Sequence, residues 1–498
     1  VSFFSDLLFE ARALAQNLAE SVGTPVVRLG VTGLSRAGKT VFITALIQHL
    51  TELGKPGDRD GRGALPVFRV MAEGRLTKGR LEPQPDDAVP RFAYEDHRTA
   101  LTGGADGASR HWPESTRRIS EVRLRLDFER AEGFRAGPAS LILDIVDYPG
   151  EWLLDLPLLG KSYADWSQET LEASASAARA SLAADWRAHT IVTDAGGPAE
   201  EEDARRAAEL FTAYLKSCRA GTFALSTLPP GRFLMPGDLA GSPALTFAPL
   251  KLDPAQYYGP ETLAGMMERR YEAYKAHVVR PFFRDHFARL DRQIVLVDTL
   301  AALNAGPAAV RDLETALVDI LQAFRAGRNS VLTAVFKPRI EKILFAATKA
   351  DHLNHTGHDR LEAILRTIVA RAIARADGAG SAIDVIALAG VRATREARIG
   401  KGADALDAVV GVPSPGEVID GEIFDGSGEA AIFPGDLPAD PKMALRGEAY
   451  HPTGAEEAYR FVRFRPPRAA LDDDGRPLPL PHIRLDRALQ FLLGDRLA

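Results

Sequence analysis

Val26-Val-Arg-Leu-Gly-Val-Thr-Gly-Leu-Ser-Arg-Ala-Gly-Lys-Thr-Val-Phe-Ile-Thr-Ala-Leu-Ile-Gln-His-Leu, residues 26–50, runs from a β-rich stretch through a glycine turn into a mostly apolar run of helix length. Residues 33–40 fit G-x-x-x-x-G-K-[ST], and the context is the one that gives the pattern meaning: a strand before it and a helix starting inside it. Gly33 and Gly38 let the backbone curl around Ser35, so that the amides of Arg36, Ala37, Gly38, Lys39, Thr40 and Val41 are expected to point at bound phosphate. The helix N-terminus adds its positive dipole end. Lys39 would bridge the outer phosphates, and the Thr40 hydroxyl would ligate Mg²⁺. A chance glycine turn before a helix is the bland alternative.

Working outward, Glu121-Val-Arg-Leu-Arg-Leu-Asp-Phe-Glu alternates strictly, as a half-exposed strand does. The turn signal Glu132-Gly-Phe-Arg-Ala-Gly-Pro follows, and Leu141-Ile-Leu-Asp-Ile-Val reads as a central strand hairpinned back onto it. Gln293-Ile-Val-Leu-Val-Asp precedes a helix at 307–325, Lys342-Ile-Leu-Phe-Ala-Ala-Thr-Lys-Ala-Asp precedes another at 359–376, and Ile383-Asp-Val-Ile-Ala-Leu-Ala is a last strand. Strands alternating with helices predict an α/β fold: a mainly parallel sheet with helices on both faces. The nucleotide-binding domain is then assembled from 25–53, 115–156 and 291–400. Residues 54–114, rich in glycine, proline and charge, are expected to be a loop-rich insertion, and 157–290, Ala-rich and charge-laced, a large helical insertion. Residues 401–498 read as a mixed C-terminal extension. At the start, Phe3, Phe4, Leu7, Leu8, Ala11, Leu14, Ala15 and Leu18 fall at helical spacing, an amphipathic helix over 1–20. Docking onto its own domain is the plain reading. A protein partner or the membrane surface is the alternative, although its polar face is not Lys/Arg-rich.

Thr348-Lys-Ala-Asp closes an apolar strand, where open α/β sheets read their ligands. The Asp351 carboxylate can accept both N1–H and N2–H of guanine, a pair that adenine does not present, and the Lys349 stem would lie over the base. The Ala389 and Gly390 amides are expected to meet the guanine oxygen. In Leu143-Asp-Ile-Val-Asp-Tyr-Pro-Gly, Asp147 would hold Mg²⁺ through water, and the Gly150 amide would bond a γ-phosphate and let go after hydrolysis. Asp298, ending another apolar strand, competes with Asp147 but lacks the following glycine. Thr116, with Ser115 and Ser120 as alternatives, is the hydroxyl expected to reach the metal from a loop. His352, His355 and His358 read as surface histidines beside the base site, and the arginines of 268–292 as a solvated helix face.

The phosphate loop, a threonine loop, a hairpin ending in Asp-x-x-Gly, and Thr-Lys-x-Asp together resemble the Ras-like GTPase layout. Gly-Leu-Ser-Arg-Ala-Gly-Lys-Thr, Trp-Pro-Glu-Ser-Thr-Arg, Asp-Tyr-Pro-Gly-Glu-Trp and Thr-Lys-Ala-Asp-His resemble the bacterial YcjX-like stress-protein family, and the resemblance runs over nearly the whole chain. It implies a P-loop domain binding GTP and GDP, large helical insertions and a link to stress response. Two features depart from the Ras-like pattern. Glu151 and Trp152 stand where a water-orienting glutamine is usual, so intrinsic hydrolysis should be slow or organised differently. Arg36, inside the loop, either bends over the phosphates as an arginine supplied in cis or points to solvent. Lys39, Arg36 and Gly150 are the expected catalytic groups. The competing functions are a nucleotide-gated adaptor with little turnover and an ATP-dependent small-molecule kinase, the latter predicting neither Thr-Lys-Ala-Asp nor Asp-Tyr-Pro-Gly.

Composition excludes several classes. With 61 Lys and Arg against 67 Asp and Glu, the net charge of −6 gives no global basic surplus, and no nucleic-acid partner is expected. One cysteine, Cys218, excludes an internal disulfide framework or thiolate zinc cluster, as in a reducing compartment. No long uncharged apolar window spans a membrane, and the start lacks the basic region of a secretory signal. A cytoplasmic protein is expected, with peripheral contact to the inner membrane as the variant.

Overall fold

The computed structural model describes the chain except residues 1–23, 35–36, 53–64, 104–109, 115–117, 132–135, 221–224, 226, 327–339, 376–380, 401–404, 420, 447–458 and 472–477. The amphipathic segment 1–20 therefore lies outside the described residues, as do Ser35, Arg36, Ser115 and Thr116.

Seven strands form one sheet in the order β2-β3-β4-β1-β5-β6-β7. β1 (Val26–Gly33) is central, paired in parallel with β4 (Gly137–Asp147) on one side and β5 (Arg292–Val297) on the other; β6 (Lys342–Ala347) and β7 (Ala382–Ala387) continue the parallel run. β3 (Ser120–Arg130) is antiparallel to β4, the hairpin expected from the alternation. The order reverses at β1, so the crevice at its C-terminal end is the topological switch point where such sheets take ligands.

The apolar runs are two-sided because alternate residues feed opposite faces. Leu29, Val31, Ile294, Leu296, Leu344 and Ala346 pack on one side under α1 (Lys39–Thr51), which has only a shallow polar edge. Val295, Val297, Ile343, Phe345 and Ala347 pack on the other side with α4 (Pro307–Ala326), α5 (His355–Arg375) and the helical insertion, whose α2 (Glu201–Arg219) carries Ala204, Ala207, Phe211, Tyr214 and Leu215 inward. The insertion thus shares one core with the sheet. Trp166, Trp186, Phe211, Phe247 and Tyr271 cluster at its centre, Trp166 stacked on Tyr271 and edge-on to Phe211 and Phe247.

Two parts differ from expectation. Residues 65–114, expected to be loop, hold an added antiparallel edge strand, β2 (Leu76–Glu82), and the helix Tyr94–Thr102. β2 is short, and most of it is exposed or half-buried, so its composition resembles loop. At the other end, α6 (Leu485–Leu493) is no appendage. Leu485, Ala488, Leu489, Leu492 and Leu493 are buried at helical spacing in the same core as α1, each leucine contributing about 2 kcal/mol of transfer free energy. Arg292, fully buried at the start of β5, bonds the Leu492 carbonyl at 3.2 Å and Asp495 at 2.8 Å, and it pairs with Glu341, closing the C-terminus onto the sheet. Between β7 and α6, β8 (Arg395–Ile399), β9 (Leu406–Gly411) and β12 (Ala430–Ile432) make a small antiparallel sheet, with β10 (Val418–Ile419) and β11 (Glu422–Ile423) as a separate hairpin.

Candidate nucleotide-binding site

Gly33 ends β1, and Leu34 donates its amide to the Leu296 carbonyl at 3.2 Å, tying the loop entrance to β5. Gly38 sits at φ 81° as the residue before α1, a left-handed conformation that favours glycine. The helix is wound from there by the bond from Phe42 N–H to the Gly38 carbonyl at 3.0 Å. The amides of Gly38, Lys39 and Val41 meet no acceptor among the described residues, as the first turn of a helix dictates. Lys39 is half-buried, and its ammonium has no partner among the described residues; Thr40 is buried in the first turn. One expectation needs correction. The Ala37 amide turns back to the Leu34 carbonyl at 3.1 Å and closes the loop instead of facing a ligand.

Asp147 is the last residue of β4, 1% exposed, and opposite Val31 of β1. Ser120, the alternative hydroxyl, opens β3 directly across from it. Gly150 lies so close to the loop that a Cβ there would stand 2.2 Å from the Gly33 carbonyl oxygen, a contact no other residue could make without moving the loop. Asp-x-x-Gly and the glycine loop are therefore in backbone contact.

Past Gly150 the chain runs as a 3₁₀ segment, Gly150–Gly160, buried along most of its length in the helical insertion. Glu151 pairs with Arg219 at the end of α2, at 2.7 Å. The Arg232 guanidinium lies 3.1 Å from the centre of the Trp152 ring, whose indole N–H donates to the Met235 carbonyl at 3.2 Å. Asp155 accepts from the Gly231 amide at 2.6 Å and from the Tyr274 hydroxyl at 2.5 Å, and burial pushes its carboxyl up to about 6. Neither Arg219 nor Asp155 carries a sequence signal, since their partners lie on distant segments.

On the other side of β1, Thr348 donates its amide to Val297 at 2.9 Å, so β5 and β6 end together. Lys349 adopts φ 60°, and its ammonium bonds the Asp298 carboxylate. Asp351, 4% exposed, accepts the Ala393 amide on Oδ2 at 2.9 Å, and its carbonyl accepts the Thr394 hydroxyl at 2.5 Å. The Ala350 amide donates to Leu388 at 3.1 Å, which places the loop after β7 beside Asp351. Gly390 stands over α1: a Cβ there would be 3.1 Å from the Phe42 Cα. Ala389 is a correction. Its amide donates to the Ile483 carbonyl at 3.1 Å, and Ile483 returns the bond at 2.9 Å, so this amide is committed to the C-terminal strap and not offered to a base.

The histidines also differ from the solvated reading. His358 is buried in α5, its Nε2 bonded to the Leu353 carbonyl at 3.2 Å, and burial lowers its pKa; His352 packs edge-on to Phe464 at 5.6 Å, and only His355 is exposed, paired with Glu396 at 2.5 Å. Among the described residues no group of three or more His, Cys, Asp or Glu is placed to hold a metal alone. Mg²⁺ does not need one, because it is usually held by one or two protein groups together with substrate phosphates. The Thr40 hydroxyl and the Asp147 carboxylate, hard oxygen donors flanking the loop, are of the right kind.

The molecule is thus a mixed α/β protein with a mostly parallel sheet and a glycine loop at the switch point of that sheet. More narrowly, it belongs to the YcjX-like family, DUF463, whose pattern it matches over residues 27–497. It is 37% identical over 483 residues to the Ras-like GTPase YcjX of Escherichia coli (strain K12), covering 95% of this chain and 96% of that protein. It is 33% identical over 497 residues to the Ras-like GTPase YcjX of Shewanella oneidensis, covering 97% of each. No helix among the described residues is long and apolar enough to cross a membrane.

Proposed function

We propose that this chain binds guanine nucleotide in a P-loop site and hydrolyses GTP to GDP and phosphate as a slow switch. The observation that carries the reading is the contact of Gly150 with the Gly33 carbonyl, which sets an Asp-x-x-Gly turn against a loop whose lysine meets no partner among the described residues. The names of the relatives, Ras-like GTPase, support the same class.

In this reading the Gly38, Lys39 and Val41 amides and the Lys39 ammonium cradle the phosphates. Thr40 and Asp147 would hold Mg²⁺, with Thr116 as the third candidate oxygen. When bound, the ion would neutralise charge building on the phosphate oxygens. The Gly150 amide takes a γ-phosphate oxygen in the triphosphate state, Arg36 is the candidate arginine in cis, and water attacks the γ-phosphorus as its bond to the bridging oxygen breaks. Asp351 reads the guanine edge beside Lys349. With Ala389 committed, Gly390 is the better candidate for the guanine oxygen.

Glu151 favours low turnover. It is ion-paired to Arg219 inside the insertion and is not placed as a free water-orienting group. The same observation supports a second reading, a nucleotide-gated adaptor whose output is the arrangement of the helical insertion. The stress-response link enters by family resemblance, the cytoplasmic location from the single cysteine, and a protein or membrane partner from the amphipathic spacing of residues 1–20.

Single-turnover GTP hydrolysis by the wild type against Lys39→Ala separates the two readings. Loss of outer-phosphate contacts should slow the chemistry at least a hundredfold, about 3 kcal/mol. Phosphate release by the wild type no faster than by the variant removes the enzyme and leaves the adaptor.

A further inference from the structure

We propose that Asp298 is a positioning residue for the purine base, acting through Lys349; the inference rests on the guanine reading of Thr348–Asp351. Asp298 directly follows β5 with its side chain 9% exposed, and the motif pattern offered it only as a rival metal ligand. Its two oxygens are otherwise engaged. Oδ1 accepts the Ala301 amide at 3.1 Å and caps α3 (Thr299–Ala305), while Oδ2 takes the Lys349 ammonium.

Lys349 is held at both ends. Its backbone stands at φ 60°, a conformation uncommon for a residue with a side chain, and its tip is fixed across the neighbouring strand end. Val297 and Ala347 are register partners, so the four-carbon stem spans the ends of β5 and β6 next to Asp351. A purine whose edge met Asp351 would find that stem already ordered. A lysine free in solvent would surrender its rotamer freedom on each binding event, whereas one tethered to a carboxylate has surrendered it beforehand. The role assigned to Asp298 is thus to hold the apolar stem as a shelf for the ring, without touching the nucleotide.

Mant-GDP dissociation from the full chain tests this, comparing the wild type, Asp298→Asn, Lys349→Met and the double substitution, with nucleotide-free melting alongside. Asparagine keeps an oxygen for the Ala301 amide and loses the charge that holds the lysine. Dissociation should become roughly tenfold faster in Asp298→Asn, as expected for the rotamer freedom of one long side chain, with nucleotide-free melting unchanged. Inosine diphosphate should lose the same factor as GDP, because the stem meets the ring face and not the 2-amino edge. Asp298→Asn should add nothing once Lys349 is methionine. An unchanged rate, an equal loss in the Lys349→Met background, or a fall in nucleotide-free melting that tracks the rate overturns the inference. Should the wild type hold mant-ADP as tightly as mant-GDP, the guanine reading itself fails and this proposal falls with it, an outcome visible before any variant is compared.

Discussion

Asp351 shows how much a single side chain can be prepared by its surroundings. The Ala393 amide on Oδ2 and the Thr394 hydroxyl on the carbonyl set the carboxylate before any ligand arrives, and two oxygens with several lone pairs retain capacity for two further donors. Asn at this position keeps the volume and replaces an acceptor with a donor. Asp351→Asn is therefore expected to weaken GDP by about a hundredfold, ~3 kcal/mol, and to improve xanthosine diphosphate, whose C2 carbonyl accepts a bond from the new amide where guanine's amino group donates one to the carboxylate. Competition against mant-GDP measures both. At this scale Lys39, Asp147 and Asp351 stand out as candidates because motif spacing along the chain singles them out. Arg219 does not, and Asp298 reads only as a rival metal ligand, because a charge pair between distant segments leaves no local pattern.

Among the elements, the 3₁₀ segment Gly150–Gly160 carries most of what was hidden. The turn at its start is a recognisable phrase, while the residues after it read as an apolar run of no special kind. Their burial in the insertion is a tertiary fact, set by Trp152, Asp155 and the helices they meet. Asp155 makes this joint sensitive to pH. Its pKa in the folded chain, about 6, lies above the ordinary aspartate value, so the folded state holds the proton more tightly than the unfolded one. The stability it contributes is complete below about pH 4 and is lost as pH rises through about 6, roughly 3 kcal/mol by pH 7. Asp155→Asn should remove that step and melt higher than the wild type at pH 8, since Tyr274 can accept from the amide where it donated to the carboxylate. Melting curves from pH 4.5 to 8 that run parallel for the two proteins would contradict it. Six strands of the main sheet, by contrast, were readable, β3 from its alternation and the others from continuous apolar runs; β2 escaped because only one of its seven residues is buried, and β8 to β12 are too short and mostly too exposed to stand out.

Across the whole molecule, the largest departure from the sequence reading is the C-terminus. Residues after 401 looked like an extension because glycine, proline and acidic residues mask a helix of only nine residues, α6. Yet the strap before it reaches both halves of the site. Gln48 accepts the Leu480 amide at 3.2 Å, His49 bonds the Leu480 carbonyl at 3.0 Å, Arg392 donates to Pro481 at 2.6 Å, and Ile483 holds Ala389. Removing residues 478–498 should strip one face of the sheet of six buried leucines, several kcal/mol of apolar burial, and abolish nucleotide binding along with solubility. Sedimentation and mant-GDP titration of the shortened chain check this, and a soluble product with wild-type affinity would refute it. The arrangement also bears on biosynthesis. A ribosome exposes residues 33–40 long before Ile483, so on the proposed function the growing polypeptide would have no finished pocket, and capture of nucleotide would wait, until translation has delivered the strap.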